Sequence, residues 1–87
     1  MMNLDKAAIA AVQSRFKLLR QAANWTAQDL ADELGISRQT IVCIEGKKTN
    51  LTKPNCIAFL AVLERRAKIV PDLMGFVRVV VKDIDPA

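Results

Sequence analysis

The side chains best suited to chemistry lie close together, between residues 33 and 53. Arg38, Gln39 and Thr40 follow one another in the stretch ELGISRQTIVCIEGKK, and the overlapping segment GKKTNLTK has three lysines and no acidic residue. Guanidinium, amide and hydroxyl groups form directional hydrogen bonds, and clustered lysines attract anions. The stretch therefore favours binding of a polyanion over catalysis, although a solvated basic loop would have the same composition.

The sequence offers little to a catalytic mechanism. It contains no histidine, which removes the commonest general base and the commonest transition-metal ligand. Cys43 and Cys56 are thirteen residues apart, and this spacing indicates free thiols in a reducing compartment rather than a metal or redox motif. No paired carboxylates and no glycine-rich phosphate loop are recognisable. We therefore expect no enzyme, no cofactor and no metal site.

Length and charge indicate one small globular domain. The chain has 87 residues, of which 52% are hydrophobic and 25% charged. Residues 1–45 include five basic and five acidic residues, whereas residues 46–87 include eight and four, so the net charge of +4 lies in the second half. No apolar run approaches the ~20 residues of a membrane span, and the N-terminal segment lacks a signal-peptide pattern. We expect a cytoplasmic protein.

Apolar residues at steps of three and four predict four helices. These helices extend approximately over residues 5–23, 27–34, 38–45 and 54–67. Thr26 and Ser37 are suitable N-caps for the second and third helices, and Gly35 between them can take the left-handed conformation that ends a helix. Residues 71–74 add one further helical turn, which we expect Gly75 to end.

The tail after Gly75 has a different pattern. In the segment FVRVVVKDI, Val77, Val79 and Val81 alternate with other residues, which predicts a β-strand. Because no other segment is typical of a strand, we expect this one to pair with the same strand of a second subunit about a twofold axis. An extended tail packed on the helices and a sixth helix are the alternatives.

Two short helices joined at Gly35 form a predicted helix-turn-helix. Ala31 lies where the second helix crosses the first, and Glu45 ends the second helix. The apolar positions facing the seam are Leu30, Leu34, Ile36, Ile41 and Ile44. In these residues the stretch WTAQDLADELGISRQTIVCIEGKK resembles the lambda-repressor/Cro (Xre-type) family of helix-turn-helix DNA-binding proteins, and the resemblance extends from residue 16 to about residue 67.

The resemblance implies where DNA would be contacted. The helix after Gly35 would enter the major groove, and its base-reading side chains would be Arg38, Gln39, Thr40, Val42 and Cys43. Arginine pairs with guanine O6 and N7, glutamine with adenine N6 and N7, and valine contacts a thymine methyl group. Phosphate contacts would come from Thr26, Gln28, Ser37, Lys47, Lys48 and Lys53. An ordinary solvated helix face at Arg38 and Gln39 remains the alternative.

The chain departs from the family pattern in two places. Many members have glutamine at the position of Ala27, whereas here it comes one residue later, at Gln28, and Gly46 follows Glu45 directly, one residue early. A carboxylate at a helix C-terminus opposes the helix dipole, and the resemblance implies that Arg20 pairs with Glu45 as a structural ion pair. Exposure of both side chains to solvent is the alternative.

These patterns together predict an all-α fold of four to five helices with a C-terminal β-strand. Residues 1–70 would form the helix-turn-helix DNA-binding domain, and residues 71–87 a tail with the dimerisation strand. The resemblance implies a transcriptional regulator, most simply a repressor, that binds double-stranded DNA as a homodimer on a palindromic operator. The alternative is an antitoxin-type protein that masks a toxin-like partner and regulates its own operon.

Overall fold

A computed structural model describes residues 4–84, and these residues form six α-helices with no strand among them. The helices are α1 (Lys6–Ser14), α2 (Phe16–Ala22), α3 (Ala27–Leu34), α4 (Arg38–Glu45), α5 (Lys53–Ala67) and α6 (Leu73–Ile84). The predicted all-α class is confirmed, and the number of helices exceeds the expected four to five. The ends of the predicted domain and tail, residues 1–3 and 85–87, lie outside the described residues.

The helix predicted over residues 5–23 is divided at Arg15. In a continuous helix the Arg15 amide would donate to the carbonyl of Ala11, but here it donates to that of Val12 at 3.1 Å. The Ala11 carbonyl accepts a hydrogen bond from Arg15 Nη1 at 3.2 Å instead. Val12 and Phe16, which lie on either side of Arg15, are both fully buried. The apolar spacing therefore continues past the break, so it predicted the buried side correctly but did not indicate the break.

The core lies between all six helices. Phe16 of α2 and Phe59 of α5 stack at its centre, with ring centroids 4.1 Å apart. Leu30, Ile41 and Leu63 are also fully buried. Burial of such large apolar side chains contributes about 1.5–3 kcal/mol each to folding, so this cluster is the main source of the domain's stability.

The predicted C-terminal strand is wrong, because residues 73–84 form helix α6. Val77 and Val81 lie half-buried on this helix and Val79 is exposed, so none of them belongs to a strand that pairs between subunits. The buried side follows helical spacing instead. It includes Leu73, Phe76, Val77 and Val80.

Two features of the tail explain the incorrect prediction. β-Branched residues favour strands only weakly, and packing against a core overrides that preference. A strand over these residues would place Phe76 and Val80 on the side opposite to Val77, whereas a helix brings all three towards α5. Gly75, expected to end a helical turn, lies inside α6. The sixth helix was one of the alternatives to the strand.

Candidate nucleic-acid interface

Helix α4 is held by the turn that precedes it. Gly35 has a φ of +68°, and the amide of Ile36 donates to the carbonyl of Ala31 at 3.1 Å, which closes α3. Ser37 then caps α4, since its hydroxyl accepts from the Thr40 amide at 3.1 Å. Ala31 is fully buried at the seam, so its small side chain allows α4 to cross close to α3.

The outer side of α4 holds all five residues expected to contact bases. Arg38, Gln39 and Val42 are exposed, whereas Thr40 and Cys43 are half-buried at the edges of the same surface. Ile41 and Ile44 face the core and fix the rotation of the helix about its axis. The division predicted between buried and exposed positions of α4 is therefore present in the structure.

The polar groups on this surface differ in how fully they are engaged. Ser37 Oγ and Thr40 Oγ1 lie 2.9 Å apart and bond to each other, and Gln39 Nε2 contacts Cys43 Sγ at 3.6 Å. The side-chain oxygen of Gln39 takes no part in this contact and can accept a hydrogen bond from a ligand. Arg38 forms no hydrogen bond or ion pair within the described residues, so its five guanidinium donors are available to a ligand.

The loop between α4 and α5 presents the predicted lysines. Lys47 and Lys48 are exposed on it, and Lys53 is exposed at the start of α5, where Thr52 caps the helix. The amide of Lys48 donates to the carbonyl of Cys43 at 2.9 Å, and Lys47 has a φ of +58°. Three exposed ammonium groups thus follow α4 in the chain, within residues 46–53.

The N-terminus of α3 is less suited to an anion than the sequence predicted. The Thr26 amide donates to the Asp29 carboxylate at 2.9 Å, and the Thr26 hydroxyl accepts from the Asp29 amide at 3.0 Å. Gln28 Nε2 donates to Asp32 Oδ1 at 2.8 Å. Both candidate groups, Thr26 and Gln28, are therefore engaged by carboxylates that would repel a phosphate.

The Asp29 carboxylate is stabilised in its charged form. The hydrogen bond from the Thr26 amide lowers the pKa of Asp29 below its ordinary value, and the bond to the Thr26 side chain and the charge of Arg66 act in the same direction. Asp29 thus remains negative at neutral pH, and the α3 N-terminus keeps an acidic character.

Arg20 and Glu45 form the ion pair that the resemblance implies. Arg20 Nε donates to Glu45 Oε2 at 2.6 Å and Nη2 to Oε1 at 3.2 Å, while Nη1 donates to the carbonyl of Trp25 at 2.7 Å. Only 10% and 11% of the two side chains are exposed. This bidentate pair joins α2 to the last residue of α4 and compensates for a carboxylate at the negative end of the helix.

Sequence reasoning missed Gln13 of α1. Its Nε2 donates to the carbonyls of Ile44 and Thr49, at 3.0 and 2.8 Å, and its Oε1 accepts from the Leu51 amide at 3.0 Å. These partners are 31 to 38 residues away along the chain. The only signal was a glutamine off the apolar stripe, which is typical of any exposed helix position.

Metal and thiol chemistry have no evident centre in the part of the chain that the structure describes. No group of three or more potential metal ligands occurs among residues 4–84. Cys43 and Cys56 are free thiols, and burial raises the pKa of Cys56. Within the same residues, no helix is both long and apolar enough to cross a membrane.

The family of the chain follows from a comparison with protein-family models. A model described as helix-turn-helix, of the Xre and lambda-repressor type, matches residues 16–67, which is more than half of the chain. Comparisons with curated proteins and with solved structures returned no match. The matched residues include α2 to α5, and therefore the α3–α4 turn, the exposed side of α4 and the lysine loop. The chain belongs to the lambda-repressor/Cro-like (Xre-type) family of helix-turn-helix DNA-binding domains.

Proposed function

We propose that the protein is a transcriptional regulator that binds double-stranded DNA sequence-specifically, with α4 in the major groove. The observation that carries this proposal is the unpaired guanidinium of Arg38 at the exposed start of α4, beside Gln39 and close in sequence to three exposed lysines. The major groove is wide enough to admit an α-helix, and the exposed N-terminal side chains of α4 can reach base edges there. Membership of the family supports the same function.

Arg38 and Gln39 are proposed as the principal base readers. Arg38 pairs with O6 and N7 of a guanine, and Gln39 pairs with an adenine once it exchanges its weak contact with Cys43 for the base. Val42, which is 39% exposed, contacts a thymine methyl group. Thr40 and Cys43 are half-buried at the edges of this surface, and their short side chains contact the flanking bases.

Phosphate contacts are proposed chiefly for the lysine loop. Lys47, Lys48 and Lys53 are exposed and form no ion pair within residues 4–84, so that they neutralise phosphates without first breaking an internal bond. Ser37 contributes its hydroxyl at the α4 N-terminus. Thr26 and Gln28 contribute only if they release Asp29 and Asp32, and we therefore rank them below the lysines.

A homodimer on a palindromic operator is proposed from the surface between α5 and α6. Leu60, Met74, Val77 and Val81 line an apolar groove there, with Glu64 on α5 and Arg78 on α6 at its sides. Neither charged residue has an ion-pair partner within the described residues. In a twofold contact, Glu64 of each subunit faces Arg78 of its partner, which suits a second copy of this chain. The dimer represses transcription in the cytoplasm by covering a promoter.

Selection of the purified protein against a random duplex library at near-physiological salt tests sequence-specific binding. The expected result is an enriched inverted repeat whose half-sites are about one helical turn apart. Arg38→Ala should cost about 1–3 kcal/mol of binding and relax the preference at a guanine. Arg65→Ala, which removes an exposed arginine from the far end of α5, is the matched control. Weak binding without an enriched motif would contradict base reading by α4.

Charge reversal tests the proposed dimer surface. Glu64→Arg and Arg78→Glu should each convert the dimer to a monomer in sedimentation experiments, and the double variant should restore the dimer because the two charges are exchanged. A wild-type protein that is monomeric at all concentrations, but co-purifies with the product of a neighbouring gene, would overturn the homodimer. The antitoxin-type function would then take its place.

A further inference from the structure

Gln13 joins three separate parts of the structure through a single side chain. It projects from α1 and bonds the last turn of α4 through the carbonyl of Ile44, and the following loop through Thr49 and Leu51. All three distances lie between 2.8 and 3.0 Å. The amide group thus uses both of its N–H donors and its oxygen, so its orientation is fully determined.

The first part of the loop is bonded locally, since the amides of Lys47 and Lys48 donate to the carbonyls of Ile44 and Cys43. The part from Thr49 to Leu51 depends on Gln13. Lys47 holds a left-handed conformation, with a φ of +58°, that is unfavourable for a residue with a Cβ atom. Leu51 is only 4% exposed, and Gln13 is the partner of its amide within the described residues. Without Gln13 this amide would be buried and unpaired, and the loop would rearrange to reach water.

Gln13 is not needed to fill the core. The neighbouring positions Val12 and Phe16 are fully buried and supply the packing of this region, whereas Gln13 is half-buried at its edge. It also precedes residues 16–67, which match the family model. The bonds that Gln13 forms therefore connect a helix that precedes the family match to the basic loop within it.

We propose that Gln13 is a positioning residue for DNA binding, and this inference rests on the proposed function. Local amide bonds hold Lys47 and Lys48 to the end of α4, and Gln13 holds the residues that follow them, Thr49 and Leu51. With the loop fixed on both sides of the two lysines, they keep a constant place relative to the base-reading side of α4. Phosphate and base contacts can then form together without an ordering step on binding. Gln13 itself touches no DNA and acts through the two lysines.

The test compares Gln13→Met, which keeps the length of the side chain but removes its hydrogen bonds, with Gln21→Met. Gln21 is an exposed glutamine of α2 whose side chain has no hydrogen bond within the described residues, so this control should bind as the wild type does. The expected result for Gln13→Met is binding weakened about three- to tenfold at near-physiological salt. The slope of log K against log salt should become shallower by about one to two, while the base preference is unchanged.

A double-mutant cycle separates positioning from general destabilisation. In the background of Lys47→Ala with Lys48→Ala, Gln13→Met should cause no further loss of affinity, because the groups that Gln13 positions are absent. Hydrogen exchange should show lost protection of the Leu51 amide. Additive losses in the cycle, or an unchanged salt slope, would overturn the inference. If Gln13→Met fails to fold, Gln13→Asn is the second variant, since it adds no charge but is one methylene too short to reach all three partners, and it should give the same results.

The outcomes for the two proposals are distinct. A wild-type protein that binds no duplex overturns the proposed function and, with it, the role of Gln13. A wild-type protein that binds its selected duplex, with a Gln13→Met variant that has the same affinity and salt slope, overturns only the inference about Gln13.

Discussion

The two connections that flank α4 are built in different ways. The first, from Gly35 to Ser37, is held by bonds between residues at most five apart, such as that from the Ile36 amide to Ala31. The second, residues 46–52, has local bonds such as that from the Lys48 amide to Cys43, but it also needs Gln13, which is more than thirty residues away. One connection takes its left-handed conformation at a glycine and the other at Lys47.

Because of this difference, the orientation of α4 and the placement of the lysine loop depend on different sets of bonds. The first connection forms as soon as its two helices form, because all its partners are local. The second is complete only after α1 has docked, since Gln13 supplies the bonds to Thr49 and Leu51. We infer that the connection before α4, from Gly35 to Ser37, keeps its geometry when other parts of the protein change. The connection after α4, residues 46–52, is the one that substitutions elsewhere disturb most easily.

The largest expected effect comes from breaking the Arg20–Glu45 pair at the exit of α4. Arg20→Ala should lower the free energy of unfolding by about 3–5 kcal/mol, because it leaves the Glu45 carboxylate buried and unpaired. Unfolding in urea measures the change. Arg65→Ala, an exposed arginine, should have little effect.

The Arg20–Glu45 prediction has its own check in a double-mutant cycle. Glu45→Ala combined with Arg20→Ala should be much less destabilising than the sum of the two single changes. Additive losses would mean that the two side chains contribute independently, and the exit of α4 would then have no stronger anchor than its entry.

The local connection was accessible to sequence reasoning, and the remote one was not. Gly35 and Ser37 are residue types typical of a helix C-terminus and an N-cap, so their positions predicted the connection into α4. The Arg20–Glu45 pair was implied only through family resemblance. Nothing in the spacing of Gln13 specifies a partner thirty residues away, because an exposed helix position tolerates glutamine without any bond.

The tail shows how packing overrides local preference. Val77, Val79 and Val81 alternate as in a strand, but Phe76 and Val80 complete a helical stripe that α5 can bury. The break at Arg15 was equally hidden, because Val12 and Phe16 keep helical spacing across it. In the tail, burial against the core decided between two local patterns that the sequence allows.

The left-handed residues of the two connections should respond to substitution with opposite sign. Gly35→Ala should lower the free energy of unfolding by about 1–2 kcal/mol, because φ at +68° disfavours a Cβ atom even though nothing lies within 4 Å of it. Lys47→Gly relieves the same strain and should raise that free energy by up to about 1 kcal/mol, less the added entropy of the unfolded chain.

Lys47→Gly should also weaken DNA binding, because it removes a proposed phosphate contact. Urea unfolding and a binding titration on the same sample measure the two effects. A Lys47→Gly variant that loses stability would show that the loop conformation is not strained at this residue, and the contrast between the two connections would be smaller than inferred.

Gly75 differs from Gly35 because no turn requires a glycine at its position. It lies within α6 without a positive φ, and a Cβ atom there would meet open space. Gly75→Ala should therefore raise the free energy of unfolding by about 0.5–1 kcal/mol, opposite in sign to Gly35→Ala. Thermal or urea unfolding measures it, and a loss of stability would contradict a helix at this position.

The smallest expected effect concerns the local bonds at the start of α3. The pKa of Asp29 is lowered from 3.8 in the folded state, first by the Thr26 amide and then by the Thr26 side chain. Because the folded pKa is below the unfolded one, the stabilisation is complete above the unfolded pKa and is lost as pH falls through the folded pKa.

Unfolding of the wild type and of Asp29→Asn, compared over acid pH, isolates this contribution because the remaining carboxylates titrate in both proteins. The wild type should be the more stable above the ordinary pKa of 3.8, and its advantage should shrink as pH falls below that value. A difference that stays constant with pH would mean that the charge of Asp29 adds nothing to its hydrogen bonds. The start of α3 would then be held by capping geometry alone, as Ser37 holds the start of α4.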